Sequence, residues 1–272
     1  MGQITQHPKS NTQKNLFLQR CLTALVLFIG TGLLVIFTNS QSSAVLNQSY
    51  KCGDVVSNIS TSYSLGETLI QKPHPLPPTL AQWQDKTNSG DYFSQVTSTQ
   101  VGYLVWSKFP LRVKVEAPKA VNEKQSQAWV NSVLQTVQEW SIYLPLVIVE
   151  QPELADITIV RKAPPLQFSP DGKIKSARSA LTTYEFYIKN NILNHRFTIL
   201  LNPSQTGEYL LAAARHELGH ALGIWGHSQL QTDALYFSQV RTPPSISIRD
   251  VNTLKRVYEQ PTSLGWSVLG KD

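Results

Sequence analysis

The run HELGHALGIWGH, His216 to His227, constrains this chain more than any other stretch. Read as a helix, it places His216 and His220 one turn apart on a single face. Two imidazoles so placed can share a metal ion, and Glu217 sits beside them. His-Glu-x-x-His on a helix is the arrangement of zinc hydrolases, with the Glu as general base. Gly223 follows His220 at a position where a glycine can take the left-handed conformation that ends a helix. The chain can then bring His227 back towards the same metal. The expected site is Zn²⁺ held by His216, His220 and His227, with Glu217 catalytic. Three neutral imidazoles leave the metal its full charge and one open position for water.

HELGHALG followed by Gly226-His227-Ser228 resembles the zinc signature of the metzincin metallopeptidases, most of all the matrixin (matrix metalloproteinase-like) branch. That pattern is H-E-x-x-H-x-x-G-x-x-H followed by a methionine turn. The sequence departs from it twice. Gly226 holds the usual third-His position and His227 comes one residue late. Leu235 stands where a Met is expected in the turn segment Asp233-Ala234-Leu235-Tyr236, and the chain's single Met is Met1. The segment between Gly223 and His227 lies outside the helix, so an extra residue can bulge there, with Gly226 supplying the backbone freedom. Trp225 is then displaced outward or packed under the loop.

The resemblance implies an α+β fold: a metzincin-like catalytic domain with a twisted, mixed five-stranded sheet, an active-site helix and a C-terminal helix. It implies a zinc-dependent endopeptidase acting on protein or peptide substrates. An exposed edge strand would pair with the extended substrate, and 180–188 is the best candidate. Two other readings stay open. One is a catalytically impaired metzincin-fold module that binds zinc and peptide. The other is a gluzincin-type peptidase with an acidic third ligand, for which Asp250, Glu259 and the loop residue Asp233 are candidates. His195, ahead of a strand, reads as a surface residue.

Lys51-Cys52-Gly53-Asp54-Val55 is similar to the cysteine-switch motif of matrixin pro-segments, in which a thiolate caps the zinc. The motif's proline is missing and Lys replaces Arg. The alternative is an incidental surface cysteine. Cys21, the only other cysteine, lies in an apolar stretch, so no internal disulfide is expected to hold the fold.

That stretch, Cys21 to Thr38, has 18 uncharged residues, enough for a membrane-spanning helix and long for a signal-peptide core. Positive charges lie only on its N-terminal side until Lys51, which predicts a cytoplasmic N-terminus and an extracytoplasmic remainder. The expected organisation is a cytoplasmic segment 1–20, a transmembrane helix or signal anchor 21–38, a polar Pro-containing linker or pro-like segment 39–102, and the catalytic domain 103–272. If 21–38 is instead a cleaved signal peptide, the protein is secreted. The formal charge is +6, but without Lys9, Lys14 and Arg20 the rest carries 21 basic against 18 acidic residues, or +3. No basic run with interleaved aromatics occurs, so nucleic acid is not an expected partner. Oligomeric state has no signature in the sequence.

Within 103–272, period-2 alternation predicts strands at 111–116, 146–150, 157–161, 180–188 and 196–201. Asn122 is expected to cap a helix reaching Tyr143, with Trp129, Val133, Val137 and Trp140 on one stripe. A loop is expected over 162–178 and a short helix at 80–85. The motif helix should start near Thr206, with Leu211, Leu218 and Leu222 facing the core and the histidines opposite. A last helix should be capped by Asp250.

Overall fold

The computed structural model describes residues 69–176 and 178–269. The expected anchor at 21–38, the segment 1–20 and Cys52 lie outside the described residues. Among those described, no helix is long and apolar enough to cross a membrane.

The core is a five-stranded sheet with two helices packed on it. The strands are β1 (Leu111–Glu116), β2 (Leu146–Ile148), β3 (Ile157–Arg161), β6 (Ala180–Lys189) and β7 (Ile192–Leu201), in the spatial order β2-β1-β3-β7-β6. All neighbours are parallel except β6 and β7, so the sheet is mixed, and β6 is a free edge. Alternation of buried residues with more exposed ones along most of β6 and all of β7 gives one face to the core. Helix α2 (Glu123–Ser141) starts at Asn122, whose side chain accepts the Gln125 N–H. It turns Trp129, Val133, Val137 and Trp140 inward as expected. Helix α3 (Gly207–Ala221) carries the motif and crosses α2, with Trp140 Nε1 donating to the Arg215 carbonyl at 3.0 Å.

The differences from expectation have local causes. β7 starts four residues earlier than its alternation suggests. Asn190 and Asn191 both take positive φ (52° and 61°), which closes β6 and β7 into a two-residue hairpin. β2 stops at Ile148. The expected loop holds a small hairpin, β4 (Gln167–Phe168) with β5 (Ile174–Ser176). The short helix, α1, is Pro78–Gln82. The last helix, α4 (Ile248–Tyr258), is capped by Ser247 rather than Asp250. Asp250 is the reciprocal partner in a capping box: its N–H donates to Ser247 Oγ and its carboxylate accepts the Ser247 N–H.

Residues 69–102, expected as a linker, are poor in regular structure as their composition implies. They are nonetheless packed into the core through Leu80, Tyr92, Val96 and Val101. The segment is bolted onto α4. Arg249 donates to the Ser89 and Asp91 carbonyls, Asn252 to Gly90, and Arg256 pairs with Asp91 at 2.8 Å.

Candidate metal centre

Helix α3 is buried on more sides than an amphipathic reading predicts. Every residue from Ala213 to Leu222 is buried, including Arg215, His216, Glu217 and His220. Leu210 rather than Leu211 starts the core stripe. The side carrying the histidines is covered because the chain after His227 folds back over it. Arg215 fixes that return, with two bonds to Glu139 of α2 and a 2.7 Å bond from Nη1 to the Pro244 carbonyl.

Gly223 ends the helix as the sequence suggests, with φ of 125°, and a Cβ there would stand 2.8 Å from the Leu104 carbonyl oxygen. The chain then returns and delivers His227. One donor atom each of His216, His220 and His227 lies within 4.8 Å of the other two. The Nε2 atoms of His216 and His220 are 3.1 Å apart. His216 Nδ1 is 2.9 Å from the Ala234 carbonyl and His220 Nδ1 is 2.7 Å from the Ile224 carbonyl. A carbonyl only accepts, so each Nδ1 carries the proton and each Nε2 offers a bare lone pair to the shared space. Burial holds all three imidazoles neutral. It lowers the pKa of His220 to about 4 and that of His227 to about 3, and pushes His216 well below the ordinary value with help from its two neighbours. Three converging neutral nitrogens suit a borderline transition metal such as zinc.

Gly226 was expected to supply backbone freedom to this loop, but its φ is not positive and what its missing side chain supplies is space. Gly226 lies against the chain at Gln95 and Val96, where a Cβ would overlap the Gln95 carbonyl and come 2.9 Å from Val96 Cα. Trp225 packs under the loop, with its ring centroid 5.1 Å from Tyr184 and 5.7 Å from His220.

The segment 233–236 carries Leu235 at its centre. Leu235 is fully buried and presses on α3 at Gly219, where a Cβ would stand 2.6 Å from Leu235 Cδ2 and 3.0 Å from Trp140 Cζ2. A small residue between the two histidines therefore lets this turn approach close enough for Ala234 to accept from His216.

None of the acidic candidates joins the histidine group. Asp250 accepts from Tyr92 Oη at 2.5 Å, the Ala234 N–H at 2.8 Å and the Ser247 N–H at 2.7 Å. Asp233 accepts from Ser228 Oγ at 2.5 Å and from Arg249 Nε at 3.1 Å. Glu259 is exposed at the end of α4. Asp250 is instead an outer support, since it holds the turn whose carbonyl orients His216. That role was not visible in the sequence, because the partner amides lie 15 and 16 residues away.

Glu217 is buried, and Thr182 Oγ1 of β6 donates to its Oε2 at 2.6 Å. Burial raises its pKa to about 7, against the opposing pull of that hydrogen bond. The general-base candidate is thus tied to the free edge strand. Beside His216 a cavity of about 30 Å³ is lined in part by Ala212, Tyr236, Val240 and Pro243.

His195, expected at the surface, is buried. Its ring stacks on Trp106 with centroids 3.9 Å apart, Nε2 has no hydrogen-bond partner, and burial lowers its pKa to about 3. No family model matches the chain, and no curated protein matches it.

Proposed function

We propose that this protein is a zinc-dependent endopeptidase of the metzincin type, with His216, His220 and His227 as metal ligands and Glu217 as general base. The observation that carries the reading is the convergence of three imidazoles, His227 half-buried and the other two buried and held by backbone carbonyls in the tautomer a ligand needs. Bound there, Zn²⁺ supplies a water with pKa near 7 and polarises the scissile carbonyl.

The chain's own residues do the rest. Glu217 takes the proton of the attacking water and passes it to the departing amine. Its raised pKa suits a group that must both accept and release a proton near neutral pH. The Thr182 hydroxyl donates to Oε2 and so holds the carboxylate in one orientation. Strand β6 is the edge strand of the sheet, and it can take an extended polypeptide as a further strand. The stretch 21–38 would anchor this catalytic unit outside the cytoplasm, and full-length protein released from membranes by salt washing alone would argue against an anchor.

The test pairs metal content with cleavage of an unfolded protein, with and without chelator. The wild type should hold one zinc and cleave. Glu217→Ala should keep the zinc and lose the cleavage. Full activity in Glu217→Ala contradicts the mechanism. A wild type that keeps zinc but never cleaves points to a peptide-binding module instead.

A further inference from the structure

The extra residue before His227 creates a problem that the chain solves outside the motif. His216 and His220 project from a helix, and each is oriented by its own carbonyl. No described residue hydrogen-bonds the His227 ring, and its carrier is a loop made longer by one residue, with more freedom to lose on ordering. Inside that loop only short-range bonds hold the backbone: Trp225 N–H to the Gly223 carbonyl and Gly226 N–H to the Ile224 carbonyl. After His227, the Ser228 N–H donates to the Leu235 carbonyl at 2.8 Å; before it, the longer-range restraint comes from the segment 91–97. Thr97 N–H donates to the Trp225 carbonyl at 2.9 Å, and Val96 and Gly226 face each other as an isolated antiparallel bridge. Contact is so close that only glycine fits at 226.

We propose that residues 91–97 are a strap that positions His227 and thereby sets the affinity of the metal site. The strap has a rigid backing. Asp91 pairs with Arg256, the Tyr92 N–H donates to Thr253 Oγ1 at 3.0 Å, and Tyr92 Oη donates to Asp250. All three partners are on α4. The same helix, through Asp250 and Ala234, orients His216. One element therefore supports two ligands by two routes, and the strap is the one that holds the chain on the N-terminal side of His227. A chain starting at residue 103 would lack this support, although it would contain the whole motif.

The inference rests on the three-His reading, and the experiment separates the two. Full-length protein is titrated with Co²⁺, and the visible absorption of the bound ion reports its ligand set. The variants are Gly226→Ala, Thr97→Pro, which removes the N–H at an exposed position, and His227→Ala. Denaturant unfolding of each metal-free variant shows whether it is folded. Gly226→Ala and Thr97→Pro should each lose at least tenfold in Co²⁺ affinity, and their spectra should shift towards that of His227→Ala, with metal-free folding retained in at least Thr97→Pro. Wild-type affinity and spectrum in both strap variants, beside a weakened His227→Ala, overturns the strap alone. Wild-type binding by His227→Ala, or no binding by the wild type, overturns the three-His reading and the strap with it.

Discussion

Among the described residues, two parts of this molecule bury histidine, and one of them brings three imidazoles together. His195 is at least as deeply buried as His216, and both are held neutral by loss of solvent. Around His195 the neighbours are aromatic rings, Trp106 and Phe197, and Nε2 meets no polar group. Around His216 a carbonyl fixes the tautomer and two more imidazoles converge. His195 also lines a cavity of about 350 Å³ at the start of β1 and the β6–β7 turn, far larger than the one beside His216. Size of cavity and depth of burial therefore do not mark the chemistry here. Convergence of lone pairs, and the outer groups that aim them, do.

The largest effect should come from removing a converging nitrogen. His220→Ala should lower zinc affinity by more than about 100-fold, because a ligand as well as its outer support is lost. His195→Phe keeps the stacking and removes the unpaired nitrogen, so zinc affinity should stay within about twofold. Zinc titration against a competing chelator measures both, and a comparable loss in the two variants would break the distinction.

Next in size is the outer support. Asp250→Ala leaves the buried amides of Ala234 and Leu235 without their acceptor. Each donor so orphaned costs about 1–3 kcal/mol, and loss of outer-shell order typically lowers metal affinity about 10–100-fold. Asp250→Asn should fall between the two. Wild-type zinc affinity in Asp250→Ala would show that His216 needs no such backing.

The smallest effect is on the pH dependence of the metal-free protein. His216, His220, His227 and His195 have folded pKa values below their unfolded value of 6.5. The unfolded chain then binds more protons, so their contribution is complete above pH 6.5 and is lost as pH falls towards about 4 and 3. Glu217 is raised from 4.5 to about 7, so its contribution is present below 4.5 and lost as pH rises through 7. Burial also raises Asp250, so four groups oppose two, and net stability should fall between pH 6.5 and 4. Glu217→Gln should steepen that fall. Thermal midpoints across this range that stay flat for both proteins would contradict the burial of the cluster.

What could be read from the sequence follows the range of the interactions involved. β1, β3 and most of β6 repeat with period two, and α2 has a capping Asn and an apolar stripe, so nearest neighbours suffice to read them. The three histidines and the helix-ending Gly223 were legible for the same reason, since the motif is local. The packing of residues 69–102 was not. Leu80, Tyr92, Val96 and Val101 follow no period, and their partners are distant in the chain: Tyr92 bonds α4, Val96 faces Gly226, and the Val101 carbonyl accepts from Thr262 and Ser263. Thr182, Asp250 and the fit of Gly226 against Gln95 are likewise products of the folded chain alone. The position of His195 was misread because its strand begins earlier than its apolar pattern shows, which carries the ring onto the core face of β7.

The central claim is tested most directly by X-ray absorption at the zinc edge of the loaded full-length protein, compared with His227→Ala. The account predicts three imidazole nitrogens at about 2.0–2.1 Å with a light-atom fourth ligand, and one imidazole fewer in the variant. Two imidazoles and a carboxylate in the wild type, unchanged in His227→Ala, would contradict it.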